Sequence, residues 1–383
     1  MSVTIPKGFK ASGVAAGLKQ SGTPDVALIQ NLGPSYAAAS VFTSNRCKAN
    51  PVLWSEQAIA DGEVRAVVVN SGGANCYTGS RGFQTTHATA ERVGALLDVS
   101  PGDVLVASTG LIGELLDEPT LFAGVDAAAA ELSDTGGDAA ARAIMTTDTV
   151  PKTASYAGDG WSIGGIAKGA GMLAPSLATM LVFVTTDADL DASELESALR
   201  VACARSFDRI DSDGCMSTND QVALLSSGAS GVRPDVDAFT SALTDLCLEL
   251  ALQLIRDAEG ASHDIAITTT GAASEQDALE VCRAVARSNL LKCAIFGNDP
   301  NWGRILAAVG TTGAEFDPQQ IDVAINDVWI CRGGEPGESR DQVDMSARDV
   351  TITIDLKAGE HEATLWTNDL TTDYVHENSA YST

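Results

Sequence analysis

Short runs of β-branched residues alternate along this chain with longer stretches whose apolar positions return every three to four residues. The runs Val64–Val69, Val104–Ala107, Met180–Thr185, Val222–Leu225, Ile265–Thr270, Ile321–Ile325 and Val350–Leu356 predict strands. The Ala- and Leu-rich stretches Thr85–Leu97, Leu121–Leu132, Ala192–Arg205, Val236–Ala258 and Glu275–Ser288 predict helices. Alternation of this kind gives an α/β protein in which sheet and helix form layers. Several strands run straight into small-residue turns, among them Asn70-Ser71-Gly72-Gly73 and Ser108-Thr109-Gly110. Such turns can aim backbone N–H groups at a ligand, although most strand-end turns are plain connections. No period of 20–50 residues repeats, and only Arg332–Arg340 has the composition of a linker.

At 383 residues the chain exceeds what one hydrophobic core usually supports, so two lobes are expected. Its 45% hydrophobic and 20% charged residues describe a folded chain. The most apolar stretch, Met180–Val184, is too short to span a bilayer, and Met1–Gly13 has no apolar leader, so no targeting or transmembrane segment is expected. Fifty-one acidic residues against 24 basic ones give a formal charge of −27, which makes nucleic acid and anionic membrane poor partners. The scattered acids Asp187, Asp189, Asp191, Asp235, Asp237 and Asp245 read as a solvated surface. The eight cysteines include no C-x-x-C pair and the four histidines are dispersed, which fits thiols in a reducing cytoplasm and no metal site. Neither His87 nor His263 has a sequence neighbourhood that suggests a triad, and Cys76 reads as a small buried residue.

The richest chemistry lies in Lys168–Leu181, K-G-A-G-M-L-A-P-S-L-A-T-M-L. Gly169, Gly171 and Ala174 match the glycine pattern of a dinucleotide site, but that site needs a helix after the turn and then a second strand with its acid. Pro175 and the apolar run from Met180 leave no room for them. The other reading starts from Thr179 at the head of a strand, behind the small Ala178 and a Gly/Pro-bearing loop. A threonine hydroxyl there can attack its own preceding carbonyl. Water then opens the ester, and the freed α-amine, with a pKa near 8, serves as base for the same hydroxyl. By periodicity alone, a threonine opening a strand is ordinarily structural.

Lys168–Asp187 resembles the signature of the glutamate N-acetyltransferase (ornithine acetyltransferase) family, in which a threonine preceded by alanine is the self-cleavage nucleophile. Further blocks resemble that family in the same order: Asn70–Asn75, Ser108–Gly113, Ile144–Asp148, Asp257–Gly260, Asp299–Arg304 and Glu377–Tyr381. The resemblance covers nearly the whole chain. It implies paired β-sheets flanked by helices, an αββα-like N-terminal-nucleophile architecture, with a smaller second α/β lobe. It also implies cleavage between Ala178 and Thr179 into fragments 1–178 and 179–383, which assemble as a heterotetramer of two of each.

The implied reaction carries acetyl from N2-acetyl-L-ornithine to the Thr179 hydroxyl and then to L-glutamate, a ping-pong route. Thr109 and Gly110 match the family's oxyanion pair, and Thr146, Lys168, Thr179, Glu259, Asn378 and Thr383 match its substrate contacts. Adjacent Thr147 leaves the choice of Thr146 open, and Thr383 departs from the serine common at that place while keeping its hydroxyl. No cofactor is implied. Acetyl-CoA stays open as a co-substrate, although nothing local reads as a coenzyme A site. Two rivals remain at this stage: an aminopeptidase or amidase that passes the acyl group to water, and a nucleotide-binding module built on Gly169 and Gly171.

Overall fold

A computed structural model of the chain describes residues 2–174 and 180–380. It forms two compact units. The first holds the chain up to Asp208 together with Cys215–Leu254, and the second holds Arg209–Gly214 and the chain from Ile255 onward.

The first unit contains strands β1 (Phe9–Val14), β2 (Val26–Asn31), β3 (Ala38–Phe42), β4 (Ala66–Asn70), β5 (Val104–Ser108), β6 (Lys152–Ala157), β7 (Ser162–Lys168), β8 (Leu181–Thr186) and β9 (Gln221–Ser226). Its helices are α1 (Asn50–Ala58), α2 (Gly79–Leu97), α3 (Glu118–Ala130), α4 (Gly137–Ala143), α5 (Ala192–Arg205) and most of α6 (Val236–Arg256). Four strands form one sheet in the order β1-β2-β4-β5, and five form another in the order β3-β9-β8-β7-β6. One apolar core takes Phe9, Ile29, Val67, Val69 and Leu105 from the first sheet and Ile166, Leu181, Phe183, Ala223 and Leu225 from the second, so the sheets face each other. The opposite face of the four-stranded sheet packs Leu28, Val68 and Val106 against Ala90 and Val93 of α2 and Leu121 and Val125 of α3. On the outer face of the five-stranded sheet, Leu246 and Leu250 of α6 lie over Gly165. Helices thus cover both outer faces of the paired sheets, as the family resemblance implied.

The second unit adds β10 (Asp264–Ala272), β11 (Asp322–Ile325), β12 (Val328–Arg332), β13 (Glu335–Pro336), β14 (Asp349–Asp355) and β15 (His361–Asn368), ordered β13-β12-β11-β14-β10-β15. Helices α7 (Glu275–Ala286), α8 (Asn289–Phe296) and α9 (Trp302–Val309) bury Val281, Val285, Ile295 and Ile305 with Ile267, Val323 and Ile352 of the sheet; α10 (Thr372–Ala380) follows β15.

All seven expected strands and five expected helices are present, α5 over the same residues as expected. Strand β7 was not expected because it carries Gly164 and Gly165, poor strand formers. The fold requires both: a Cβ on Gly164 would lie 1.9 Å from the Ser2 carbonyl oxygen, and one on Gly165 would lie 2.9 Å from Leu250. Arg332–Arg340 is not a linker. Gly333 and Gly334, at φ of 55° and 73°, turn β12 into β13 within the sheet. Helix α6, not Met180–Val184, is the long apolar segment, with length and mean hydropathy of 1.4 sufficient to cross a membrane. Its buried side chains Phe239, Leu243, Leu246 and Leu250 and its contact with Gly165 make it a core helix.

Candidate active site

The ends of β4 and β5 in one sheet, the end of β7 and the beginnings of β8 and β9 in the other converge in the first unit. Antiparallel pairing sets Lys168 opposite Leu181, and parallel pairing sets Leu181 beside Gln221, so three strands of the five-stranded sheet reach one edge together. In the facing sheet Asn70 pairs in register with Ser108, and Thr109 follows, its N–H donating to the Asn70 carbonyl at 3.0 Å.

Two expected residues meet directly here. Lys168 is fully buried, and its Nζ donates to the Thr109 hydroxyl at 3.0 Å. By accepting this charge-assisted bond, Thr109 Oγ1 keeps its own proton available for another acceptor. Gly110 lies at φ 129°, and a Cβ there would come within 2.9 Å of the Gly73 nitrogen, so both dihedral and space demand glycine. Its N–H has no hydrogen-bond partner among the described residues. A hydroxyl and an N–H from consecutive residues can serve an oxyanion.

Behind them lies a charge cluster that the sequence did not disclose. The Asp148 carboxylate accepts Lys152 Nζ at 2.6 Å, the Gly169 N–H at 2.7 Å and the Thr146 N–H at 2.9 Å. Lys152 and Asp148 side chains are both completely buried. Burial alone would raise the Asp148 pKa, but the cations of Lys168 and Lys152, with the bonds from Gly169 and Lys152, hold it below the ordinary carboxylate value. Asp148 was visible in sequence only as the last residue of the Ile144–Asp148 block. Its bond to the Thr146 amide ties that threonine, rather than Thr147, to the cluster.

Lys19 donates to the carbonyls of Met145 at 2.6 Å and Pro24 at 2.9 Å. Burial lowers its amine to about 8, with Asp25 opposing, Lys168 adding to the fall and Asp148 opposing. Asp25 organises this loop by accepting the N–H groups of Ala16, Gly17, Leu18 and Lys19 at 2.6–3.1 Å. A small cleft of about 260 Å³ beside it is lined by Leu18, Gly72, Gly73, Leu111 and Glu114.

On the far side of the site Asn219 and Asp220 lead into β9. Asn219 Nδ2 donates to the carbonyls of Ser108 at 2.8 Å and Ala74 at 2.7 Å, tying the two sheets together next to Thr109. Asp220 Oδ1 accepts the Met180 N–H at 2.9 Å. Burial pushes the Asp220 carboxyl up to about 8, against the Met180 N–H, Ser217 and the Lys168 cation, which pull it down. Neither residue lies in a block that carried the resemblance.

In the second unit the structure brings together two other expected residues. Asn378 Nδ2 donates to Glu259 Oε2 at 3.0 Å. A Cβ on Gly260 would lie 2.2 Å from the Tyr374 nitrogen, and the Thr371 hydroxyl donates to the Gly260 carbonyl at 2.7 Å. Glycine therefore lets the Glu259 turn sit against the first turn of α10. Ala178, Thr179 and Thr383 lie outside the described residues.

Three further readings of the sequence change. Residues 169–174 open no helix, which removes the dinucleotide turn. Asp187 is not solvated: it is 3% exposed and accepts the N–H groups of Ser162 at 2.7 Å and Lys7 at 3.0 Å. His263 does have a serine and an aspartate beside it, with Nδ1 2.8 Å from Asp369 Oδ2. Ser262, however, donates its hydroxyl to that same carboxylate, and His263 Nε2 faces the Met345 carbonyl, so the group ties the second unit together rather than forming a relay.

The profile of the ArgJ family matches residues 10–383. A Streptomyces coelicolor protein named arginine biosynthesis bifunctional protein ArgJ is 62% identical over 382 residues, covering 100% of both chains. Among solved structures, the arginine biosynthesis bifunctional protein ArgJ of Bacillus halodurans is 38% identical, covers 52% of this chain and 98% of its own, and superposes with a TM-score of 0.50. The Mycobacterium tuberculosis ornithine acetyltransferase, solved complexed with ornithine, is 55% identical and covers 46% of this chain and 95% of its own, with a TM-score of 0.45. On the full-length match to the profile and to the Streptomyces relative, this chain belongs to the ArgJ family, the acetyltransferases of arginine biosynthesis.

Proposed function

We propose that this chain carries out its family's transfer of acetyl from N2-acetyl-L-ornithine to L-glutamate through an acetyl ester on Thr179, after cutting itself between Ala178 and Thr179. The observation that carries the reading is the bond from Lys168 to Thr109 beside Gly110, at the strand edge from which Thr179 leads into β8. The Thr179 hydroxyl attacks the acetyl carbonyl carbon and its proton passes to the α-amine. Thr109 and Gly110 donate to the oxygen that gains charge, and collapse expels ornithine, which takes the proton. Glutamate then attacks the ester by the reverse sequence. Aimed oxyanion donors of this type are worth about 3–4 kcal/mol each.

Lys168, Thr146, Glu259, Asn378 and Thr383 are assigned to the substrate, with Lys168 suited to a carboxylate and Glu259 to an amine. Acetyl-CoA is assigned as a second acetyl donor, in keeping with the bifunctional name of the Streptomyces relative.

The two fragments, 1–178 and 179–383, stay together because the cut falls inside one sheet. Strands β3, β6 and β7 come from the first fragment, β8 and β9 from the second, and β8 pairs with β7 over six register positions. The solved Bacillus halodurans chain is about half the length of this one, as a fragment of a chain cut near its middle would be. We place the enzyme in the cytoplasm as a tetramer of two of each fragment.

The test is a denaturing gel with amino-terminal sequencing and an assay for acetylglutamate. Wild-type protein should give two bands, the second beginning at Thr179, and Thr179→Ala should give one 39.5 kDa band with no turnover. Active protein that is a single uncut chain would overturn the reading. Release of free acetate without acetylglutamate would make the enzyme a hydrolase.

A further inference from the structure

The dipeptide Asn219–Asp220 touches both halves of the chemistry without belonging to either. Asn219 holds the carbonyl of Ser108, the residue before the oxyanion pair, and Asp220 holds the amide of Met180, the residue after the nucleophile. The Asp220 backbone is itself fixed, since its carbonyl accepts the Thr43 N–H at 3.1 Å. Its side chain is 1% exposed, and Oδ2 has no hydrogen-bond partner among the described residues. A buried carboxyl oxygen left without a partner loses its hydration with nothing in return, so its retention calls for a group that arrives later.

Cleavage supplies such a group. The Thr179 nitrogen is three bonds from the Met180 nitrogen and so lies within about 4 Å of it whatever the dihedral angle. Before cleavage it is an amide with one hydrogen. Afterwards it is an amine or ammonium with two or three, one residue before the N–H to which the Asp220 carboxyl is anchored. On the reading that Thr179 is the nucleophile, we infer that Asp220 is its positioning residue: Oδ1 fixes the Met180 amide, and Oδ2 accepts from the new α-amine, steering it toward the Thr179 hydroxyl.

The charged groups around the carboxyl fit this role. Among the described residues Lys168, from β7, is the charged group acting on Asp220, and it is also tied to Thr109 and balanced by Asp148. One cation is thus shared among the oxyanion hydroxyl and two buried carboxyls. The tendency of Asp220 to stay neutral to about 8 in the uncut chain lets the site fold without a second buried anion. Arrival of the ammonium then favours the carboxylate.

The experiment uses the full chain with Asp220→Asn, whose amide oxygen can still accept the Met180 N–H but whose nitrogen cannot accept from the amine. Cleavage is read by gel, folding by Tm, and acetyl transfer by kcat/KM against pH. In the cut variant the acid limb should move to lower pH by about one unit, because the ammonium has lost its carboxylate, and the rate at the optimum should fall at least about 10-fold. A cut variant whose pH profile overlays that of wild type would overturn the inference while leaving Thr179 in place. An uncut variant with wild-type Tm, cut again when Asp220→Glu restores the carboxylate, supports positioning. An uncut variant with depressed Tm that Asp220→Glu does not repair reduces Asp220 to a packing role and overturns it. Wild-type protein that is itself uncut removes the underlying reading instead.

Discussion

The residues expected to handle acetyl transfer fall into two regions built on opposite principles. Around Lys168, Thr109 and Asp148 the groups hang from the ends of β7 and β5 and from the loop that leads into β6, all are buried, and their charges are matched within the cluster. Around Glu259 and Asn378 the carboxylate is buried, but its partner comes from α10, a helix with no buried residue of its own. The first region is fixed by two sheets. The second depends on a loop glycine and a surface helix near the end of the chain. Disturbing the first should therefore cost folding as well as chemistry, and disturbing the second should cost binding alone.

Asp148→Ala should produce the largest effect. It leaves Lys152 and Lys168 without their shared carboxylate, and breaking a buried pair costs about 3–5 kcal/mol, readable as a drop in Tm at neutral pH. The pH dependence has a defined sign. The folded pKa of Asp148 is lowered, so its stabilisation is complete above the unfolded value of 3.8 and is lost as pH falls through the folded value. The gap in stability between wild type and Asp148→Asn should close across that acid window; a gap independent of pH would break the electrostatic account.

Next comes Gly110→Ala. The added methyl meets the Gly73 backbone at a dihedral that L-residues avoid, so the N–H should lose its aim. A fall in kcat of about 10²–10³ is expected, with KM little changed. Wild-type kcat in this variant would remove Gly110 from the chemistry.

Glu259→Gln should raise KM for N-acetylornithine by about 10-fold or more, the scale of one charge-assisted bond, with Tm unchanged. A loss of Tm comparable to that of Asp148→Ala would erase the contrast between the regions. Asn378→Ala should be mildest, a KM change of about two- to fivefold, since it removes only a neutral amide bonded to Glu259.

Asp220 sharpens the comparison from the other direction. Its folded pKa is raised, to about 8, so its contribution to stability is complete below about 3.8 and is lost as pH rises toward 8. In the uncut Thr179→Ala chain, where no ammonium faces the carboxyl, Asp220→Asn should therefore melt no lower than its parent near pH 8. A lower Tm for that uncut double variant at pH 8 would show that the buried carboxylate is favoured even without the ammonium.

Seven strands and five helices were legible in the sequence because segments such as Val104–Ser108 and Ala192–Arg205 carry their own periodicity, whereas strands such as β7, with Gly164 and Gly165 inside it, do not. So were Thr109, Gly110, Lys168 and Glu259, through the blocks that hold them. Asp148, Lys152, Asn219 and Asp220 were not, because a carboxylate's role depends on what surrounds it. Asp187 and Asp220 are indistinguishable in sequence from the solvated Asp189, and only burial and partners separate them. The facing of the sheets, the bond of Lys168 to Thr109 and the meeting of Asn378 with Glu259 join residues far apart in the chain, 59 positions for the second and 119 for the third. Local patterning sets what each segment becomes, whereas contacts at that separation exist only once the core has closed and removed water from between the charges.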